Sequence, residues 1–210
     1  LNVQNSAILA GGIVNGKLSG TGNVAVTGNV FLDSKGSIVT NALTLKEGAV
    51  LTTSAKGLSM NAKLSRLFID DKAKLNLGGK LSAYSLSLAS GTLDVIGTKA
   101  TPITLKGDIT LTDGAELLGN GKISGYNLSM KDASKLDVSF SKPQSIAMKG
   151  GITLASGSSL NLDGKLSANY LSLQESNIKL DSFKPQSVSV KGAVSLVNKS
   201  NMSLHGKLSA

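Results

Sequence analysis

Cysteine and tryptophan are missing from these 210 residues, and histidine and arginine occur once each, at His205 and Arg66. Without cysteine there is no disulfide and no thiolate metal site, and the composition is compatible with export of an unfolded chain. Aromatic residues make up only 3% and prolines number 3. No run of about 18 apolar residues occurs, so no segment is expected to cross a membrane as a helix. No convincing window places apolar residues at i, i+3, i+4 and i+7, so almost no helix is expected. Leu1 to Gly20 holds a repeat frame where a secretory leader would show a basic start and an apolar centre. With one arginine and three tyrosines, the chain offers few bidentate or stacking groups, and nucleic acid is the least favoured partner.

What the chain has instead is order. One tetrapeptide frame recurs five times, as Gly16-Lys17-Leu18-Ser19, Gly79-Lys80-Leu81-Ser82, Gly121-Lys122-Ile123-Ser124, Gly164-Lys165-Leu166-Ser167 and Gly206-Lys207-Leu208-Ser209. The intervals between its glycines are 63, 42, 43 and 42 residues, close to multiples of 21. The sequence Lys142-Pro143-Gln144-Ser145 returns 42 residues later as Lys184-Pro185-Gln186-Ser187. A period kept over this many copies marks stacked repeats, each burying its apolar face against the next.

Within a unit the apolar period is 2. Leu86 and Leu88, Leu128 and Met130, and Leu171 and Leu173 each flank one serine; Ile103 and Leu105, Ile146 and Met148, and Val188 and Val190 alternate likewise. Such pairs read as short strands with one buried face, separated by the turn chemistry of Gly, Asn, Asp, Ser and Lys. The glycines are expected where a bend needs positive φ. Strand centres near Thr110, Leu117, Ile123, Ser129, Asp137 and Ala147 give six strands in about 42 residues, or three per rung of about 21. The expected fold is all-β: a parallel β-helix, or β-solenoid, with a double-rung repeat. Ten such rungs at roughly 4.8 Å each make a rod of about 48 Å. Residues 1–65 read as diverged rungs and 66–210 as regular double rungs of one continuous domain. The pattern runs into both ends, which suggests an excerpt of a longer chain or a unit that docks on its neighbours through uncapped edges. Phe31, Phe68, Phe140 and Phe183 are expected at wider places or loops, with Phe140 and Phe183 over the apolar base of the Lys-Pro-Gln-Ser loops and an exposed anchor for a partner as the alternative.

Net charge is +9, and the lysines are regularly placed. Lys80, Lys122, Lys165 and Lys207 form one aligned set, Lys106, Lys149 and Lys191 a second, and Lys99, Lys142 and Lys184 nearly a third. The functional reading is a set of cationic stripes facing an anionic glycan or lipopolysaccharide. The plainer reading is a solvated surface in which lysine recurs with the repeat. Self-association through rung ends or sides is the other expected partner relationship.

Catalysis finds little support. Polysaccharide-cleaving solenoids need clustered carboxylates. Asp70-Asp71 is the only acidic doublet and reads as a turn; Asp94 and Asp137 share a unit position that Lys179 fills in the next copy. Asp132 and Glu175 fall in the loop after the Leu-Ser-Leu strand, and His205 stands where sister units have Gly78 and Asp163. No Gly-x-Ser-x-Gly elbow is present. The chain is therefore expected to be non-enzymatic, with no metal or cofactor.

The run Gly16 to Val24, the phrase Leu43-Thr44-Leu45 with Gly48-Ala49-Val50-Leu51, and Leu111 to Leu117 are similar to passenger regions of bacterial autotransporters and to filamentous-haemagglutinin-like adhesins. That resemblance implies a right-handed β-helix at the bacterial cell surface or released from it, acting as an adhesin or stalk. It carries over no site residues. The regularity of the double rung keeps open a structural role, as a surface-layer or filament subunit, and a polysaccharide-active β-helix is a second alternative.

Overall fold

A computed structural model describes residues 1–60, 65–96, 100–138, 144–180 and 186–210. These residues form a parallel β-solenoid with three faces per coil and no helix. One clear coil runs through Ser85–Ala89 on the first face, Thr92–Val95 on the second and Ile103–Leu105 on the third. Each strand pairs in parallel with its counterparts in the coils before and after, and the chain makes nine turns from its first layer to its last. Since no helix is present among the described residues, none is long and apolar enough to cross a membrane.

The period-2 pattern works as a sorting rule. In Tyr170–Gln174, Leu171 and Leu173 point inward and are buried, while Ser172 between them faces out. Repetition turns each inward position into a column. Leu43, Leu67, Leu86, Ile109, Leu128, Ile152 and Leu171 stack on the first face, and Leu51, Leu75, Leu93, Leu117, Leu136, Leu160 and Ile178 on the second. Leu81, Ile103, Ile123, Ile146, Leu166 and Val188 do the same on the third. The core is a narrow aliphatic cylinder and not a single central cluster, which accounts for the scarcity of large rings. Phe31 and Phe68 are a correction to the expected placement. Both lie outside the cylinder, Phe31 between Ile13 and Thr52 on the second face and Phe68 between Thr44 and Ser87 on the first. Phe140 and Phe183 fall outside the described residues.

The rungs are not equal. Along the first face, Ser87 pairs with Thr110, Thr110 with Ser129, Ser129 with Thr153, Thr153 with Ser172 and Ser172 with Ser195, steps of 23, 19, 24, 19 and 23 residues. The 42-residue repeat thus joins one short coil to one long coil. The difference lies where the second face meets the third. In the short coil Ser159–Leu162 is followed at once by Gly164–Ala168; in the long coils residues 139–143 and 181–185 intervene.

That corner also explains the frame glycine. A Cβ on Gly164 or Gly206 would fall on the backbone carbonyl of Gln144 or Gln186 in the preceding layer. Close approach of two backbones is thus one requirement, and the positive φ of Gly121, Gly164 and Gly206 (141°, 157° and 153°) is another. Left-handed φ recurs in the turns, where Gly48, Gly114 and Gly157 share it with many residues other than glycine. Where the first face turns into the second, Glu47, Asp71, Lys72, Ser90, Asp113, Asp132, Ala133, Ser156, Glu175, Asn198 and Lys199 all adopt left-handed φ between 51° and 63°. Layer-to-layer bonds tie these turns together: Gly48 N donates to Asp71 O (3.0 Å), Gly114 N to Asp132 O (2.8 Å), Ala133 N to Ser156 O (2.8 Å) and Gly157 N to Glu175 O (2.7 Å). The small residues after each turn, Ala73, Ala115, Ser134, Ser158 and Ser176, are buried and form their own internal column.

Candidate functional site

The first predicted lysine set is a real column. On the third face Lys80 lies beside Pro102 (Leu81 N donates to Pro102 O), and Lys122 pairs with Ser145, Ser145 with Lys165, Lys165 with Ser187, and Ser187 with Lys207. All four lysines are exposed and occupy alternate layers, so aligned ammonium groups sit about 10 Å apart. That exceeds the Debye length of about 8 Å at physiological salt, so mutual repulsion is weak. The pattern follows from the double coil: only the short coil brings a lysine directly after its corner glycine.

The second set, Lys106, Lys149 and Lys191, lies on the corner where the third face passes into the first. All three are exposed there. Lys142 and Lys184, with Lys99, lie outside the described residues. The carboxylate positions agree with the sequence reading. Asp94 pairs with Leu118, Leu118 with Asp137, Asp137 with Asn161 and Asn161 with Lys179, so this column alternates chemistry and builds no acidic ladder. Asp132 and Glu175 occupy left-handed turns. Among the described residues no group of three or more His, Asp or Glu is placed to hold a metal ion.

The corner carrying Lys106 holds a feature that the sequence reading passed over. In layers that alternate with its lysines stand Tyr84, Tyr126 and Tyr170, every tyrosine of the chain, exposed by 38%, 52% and 46%. Backbone bonds fix the stacking. Tyr84 O accepts from Lys106 N (3.1 Å) and Gly107 N (2.7 Å), Tyr126 N donates to Gly107 O (2.8 Å), and Gly150 N donates to Tyr126 O (2.7 Å). Tyr170 pairs with Gly151 one residue further on. Glycines face the rings for a steric reason: a Cβ on Gly107 would sit 3.0 Å from the Tyr84 ring, and one on Gly151 would overlap the Tyr170 ring.

Between Tyr84 and Tyr126 runs a groove of about 520 Å³, with Gly107 and Asp108 in its floor and Arg66, Phe68 and Lys106 around it. A second hollow of about 390 Å³ shares Arg66 and Phe68 and extends along the first face to Asn41 and Asn23. Asp108 is held in place by Asn127, whose backbone N and Nδ2 both donate to Oδ1 (3.1 and 3.0 Å); Asn127 Oδ1 in turn accepts from Gly151 N (2.9 Å). The groove therefore combines aromatic walls, two cations, serine hydroxyls and a fixed carboxylate. The signal was present in the sequence, because Tyr84 and Tyr126 are 42 residues apart like the lysine frames. Compared with protein-family models, curated proteins and solved structures, the chain finds no match in any of the three.

Proposed function

We propose that the chain is a non-enzymatic rod of a bacterial cell-surface or secreted protein that acts in adhesion or self-association. The observation that carries this reading is the long side surface itself. Exposed lysine columns and an aromatic corner repeat every second layer, an arrangement suited to many weak contacts along one extended partner. The similarity of its repeat runs to autotransporter passengers and filamentous adhesins points the same way. The alternating carboxylate column of the second face argues against a lyase or hydrolase, which would gather acids on one surface.

A structural role, as a surface-layer or filament subunit, is the second reading. Ile8 and Ile13 favour it: they point away from the cylinder, are exposed by 70% and 71%, and Ile13 lies beside the outward Phe31. Such a patch is suited to a second copy of the chain.

Display of the chain on the surface of a bacterium that otherwise neither adheres nor clumps tests both readings. Attachment to host cells or cell-to-cell clustering is the expected result. A displayed, folded rod that produces neither would overturn the adhesive reading. Appearance of new reducing ends on incubation with acidic or neutral polysaccharides would favour the enzyme instead.

A further inference from the structure

We propose that the groove between Tyr84 and Tyr126 binds an acidic polysaccharide that carries its charge on every second sugar, lying along the corner between the third and first faces. The inference rests on the adhesive reading above and gives that reading a ligand class and a site.

Four observations converge on this corner. The chain's tyrosines are confined to it, although nothing in the fold requires rings there; sister positions hold Ser65, Asn169 and glycine. The three residues are partly exposed, and a glycine lies against the rings of Tyr84 and Tyr170, where a side chain would collide with them. An open aromatic face is the usual platform for the C–H side of a pyranose ring, an apolar surface flanked by hydroxyls. Cations alternate with the rings: Lys106 lies in the layer between Tyr84 and Tyr126, and Lys149 in the layer between Tyr126 and Tyr170. The only arginine, Arg66, completes the same groove, where its planar fork suits a carboxylate or sulfate, while the Asp108 carboxylate held by Asn127 can accept only from sugar hydroxyls.

The spacing selects the polymer. Tyr84 and Tyr126 stand in one column two layers apart, which places their backbones about 10 Å from each other. Two extended pyranose units cover a similar length, so these two tyrosines meet the same sugar of successive disaccharides, and the intervening Lys106 meets the other. A neutral glycan would use the rings and leave the cations without partners. A peptide adding as a strand would need a free sheet edge, but the strand Ser85–Ala89 at this groove is already paired on both sides. Single-stranded nucleic acid could stack on the rings, yet it would place phosphates at every unit against cations at every second layer.

The test uses the full chain and hyaluronan oligosaccharides, which carry one carboxylate per disaccharide, with carboxyl-reduced hyaluronan and an oligothymidylate as comparison probes. Saturable binding to hyaluronan is expected, weakened about tenfold by Tyr126→Ala, the loss of one stacked ring. Tyr126→Phe should retain it, and Lys106→Gln should weaken it and reduce its salt dependence. Lys122→Glu on the third face should leave it unchanged. Near-ultraviolet circular dichroism and thermal melting of each variant establish that it is folded. No binding, equal binding of the reduced polymer, tighter binding of the oligothymidylate, or loss through Lys122→Glu but not Tyr126→Ala would each overturn the proposal. If displayed chains adhere to cells while Tyr126→Ala changes nothing, the groove assignment falls and the adhesive reading stands. If display produces no attachment or clustering, the adhesive reading falls as well.

Discussion

Asn127 reaches back one layer to grip Asp108 twice, donating from its backbone N and its Nδ2 to the same carboxylate oxygen at 3.1 and 3.0 Å. Its own Oδ1 accepts from Gly151 N in the layer ahead, at 2.9 Å. A single side chain thus ties together three coils beside the tyrosine corner. In a stack where each coil contacts only its neighbours, such a bridge acts on two interfaces at once.

Replacing Asn127 with Ala should therefore cost more than an ordinary surface truncation. It removes two side-chain bonds and leaves the Gly151 N–H without its partner; a loss of about 1–3 kcal/mol is expected. Asp108→Asn, which keeps an acceptor oxygen, should cost much less. Urea melts of the two variants check the order, and equal losses would remove the special role of the bridge.

Face assignment gives a second contrast. Leu171 is buried in the aliphatic column and Ser172 faces out. Leu171→Asp should destabilise the chain by several kcal/mol, since it places an unpaired charge between layers. Ser172→Asp should be nearly silent. Thermal unfolding followed by far-ultraviolet circular dichroism reads both.

The alternation that separates Leu171 from Ser172 is why so much of the fold was legible. Period-2 pairs named the strands, and a fixed repeat named the stacking. Glycine was harder to read, because a sequence does not distinguish a residue needed for positive φ from one needed for close approach. Asp, Glu, Ser, Asn and Lys fill most of the left-handed turns. The corner groove was less legible still. Tyr84 and Tyr126 keep the repeat spacing, but Tyr170 is offset, and only the stacking of coils shows that Tyr84, Lys106 and Arg66 meet.

The frame glycine can be set against a glycine that only bends the chain. A Cβ on Gly164 meets the Gln144 backbone, whereas one on Gly114, in a left-handed turn, meets nothing within 4 Å. Gly164→Ala should lower the melting temperature clearly, by the equivalent of about 1–3 kcal/mol, because backbone and not a flexible side chain must move. Gly114→Ala should cost clearly less, since only its φ of 72° is strained. Similar effects at the two sites would mean that the frame glycine serves turn formation and not packing.

Asp70 gives the fold a small pH dependence. Partial burial raises its carboxyl above the ordinary 3.8, the neighbouring Asp71 charge raises it further, and Lys46 opposes both. With a folded pKa above the unfolded one, its stabilising contribution is fully present below about pH 3.8 and is lost as pH rises through the folded value. Asp70→Asn should therefore melt slightly higher than the parent at pH 7, and the difference should vanish below pH 3.8. A variant less stable than the parent at pH 7 would reverse the sign of this account.

The double coil makes the sharpest prediction about architecture. Lys122 and Lys165 occupy equivalent positions two layers apart, so deleting residues 123–165 joins equivalent points and removes one short and one long coil. The shortened chain should fold, with a melting temperature within a few degrees of the parent, because stability is close to a sum over neighbouring layers. Deleting residues 123–145 removes only one layer, joining Lys122 to Ile146, and the number of strands still matches. The corner glycines do not. Gly121 packs on Thr101 and Gly164 on Gln144, each a residue of a long coil. The single-layer deletion sets two short corners against each other and leaves Gly164 with no long-coil backbone to close on. It should melt well below the double-layer deletion, although it retains more of the chain. If the larger deletion proved the less stable, 42 residues would not be the structural unit of this rod.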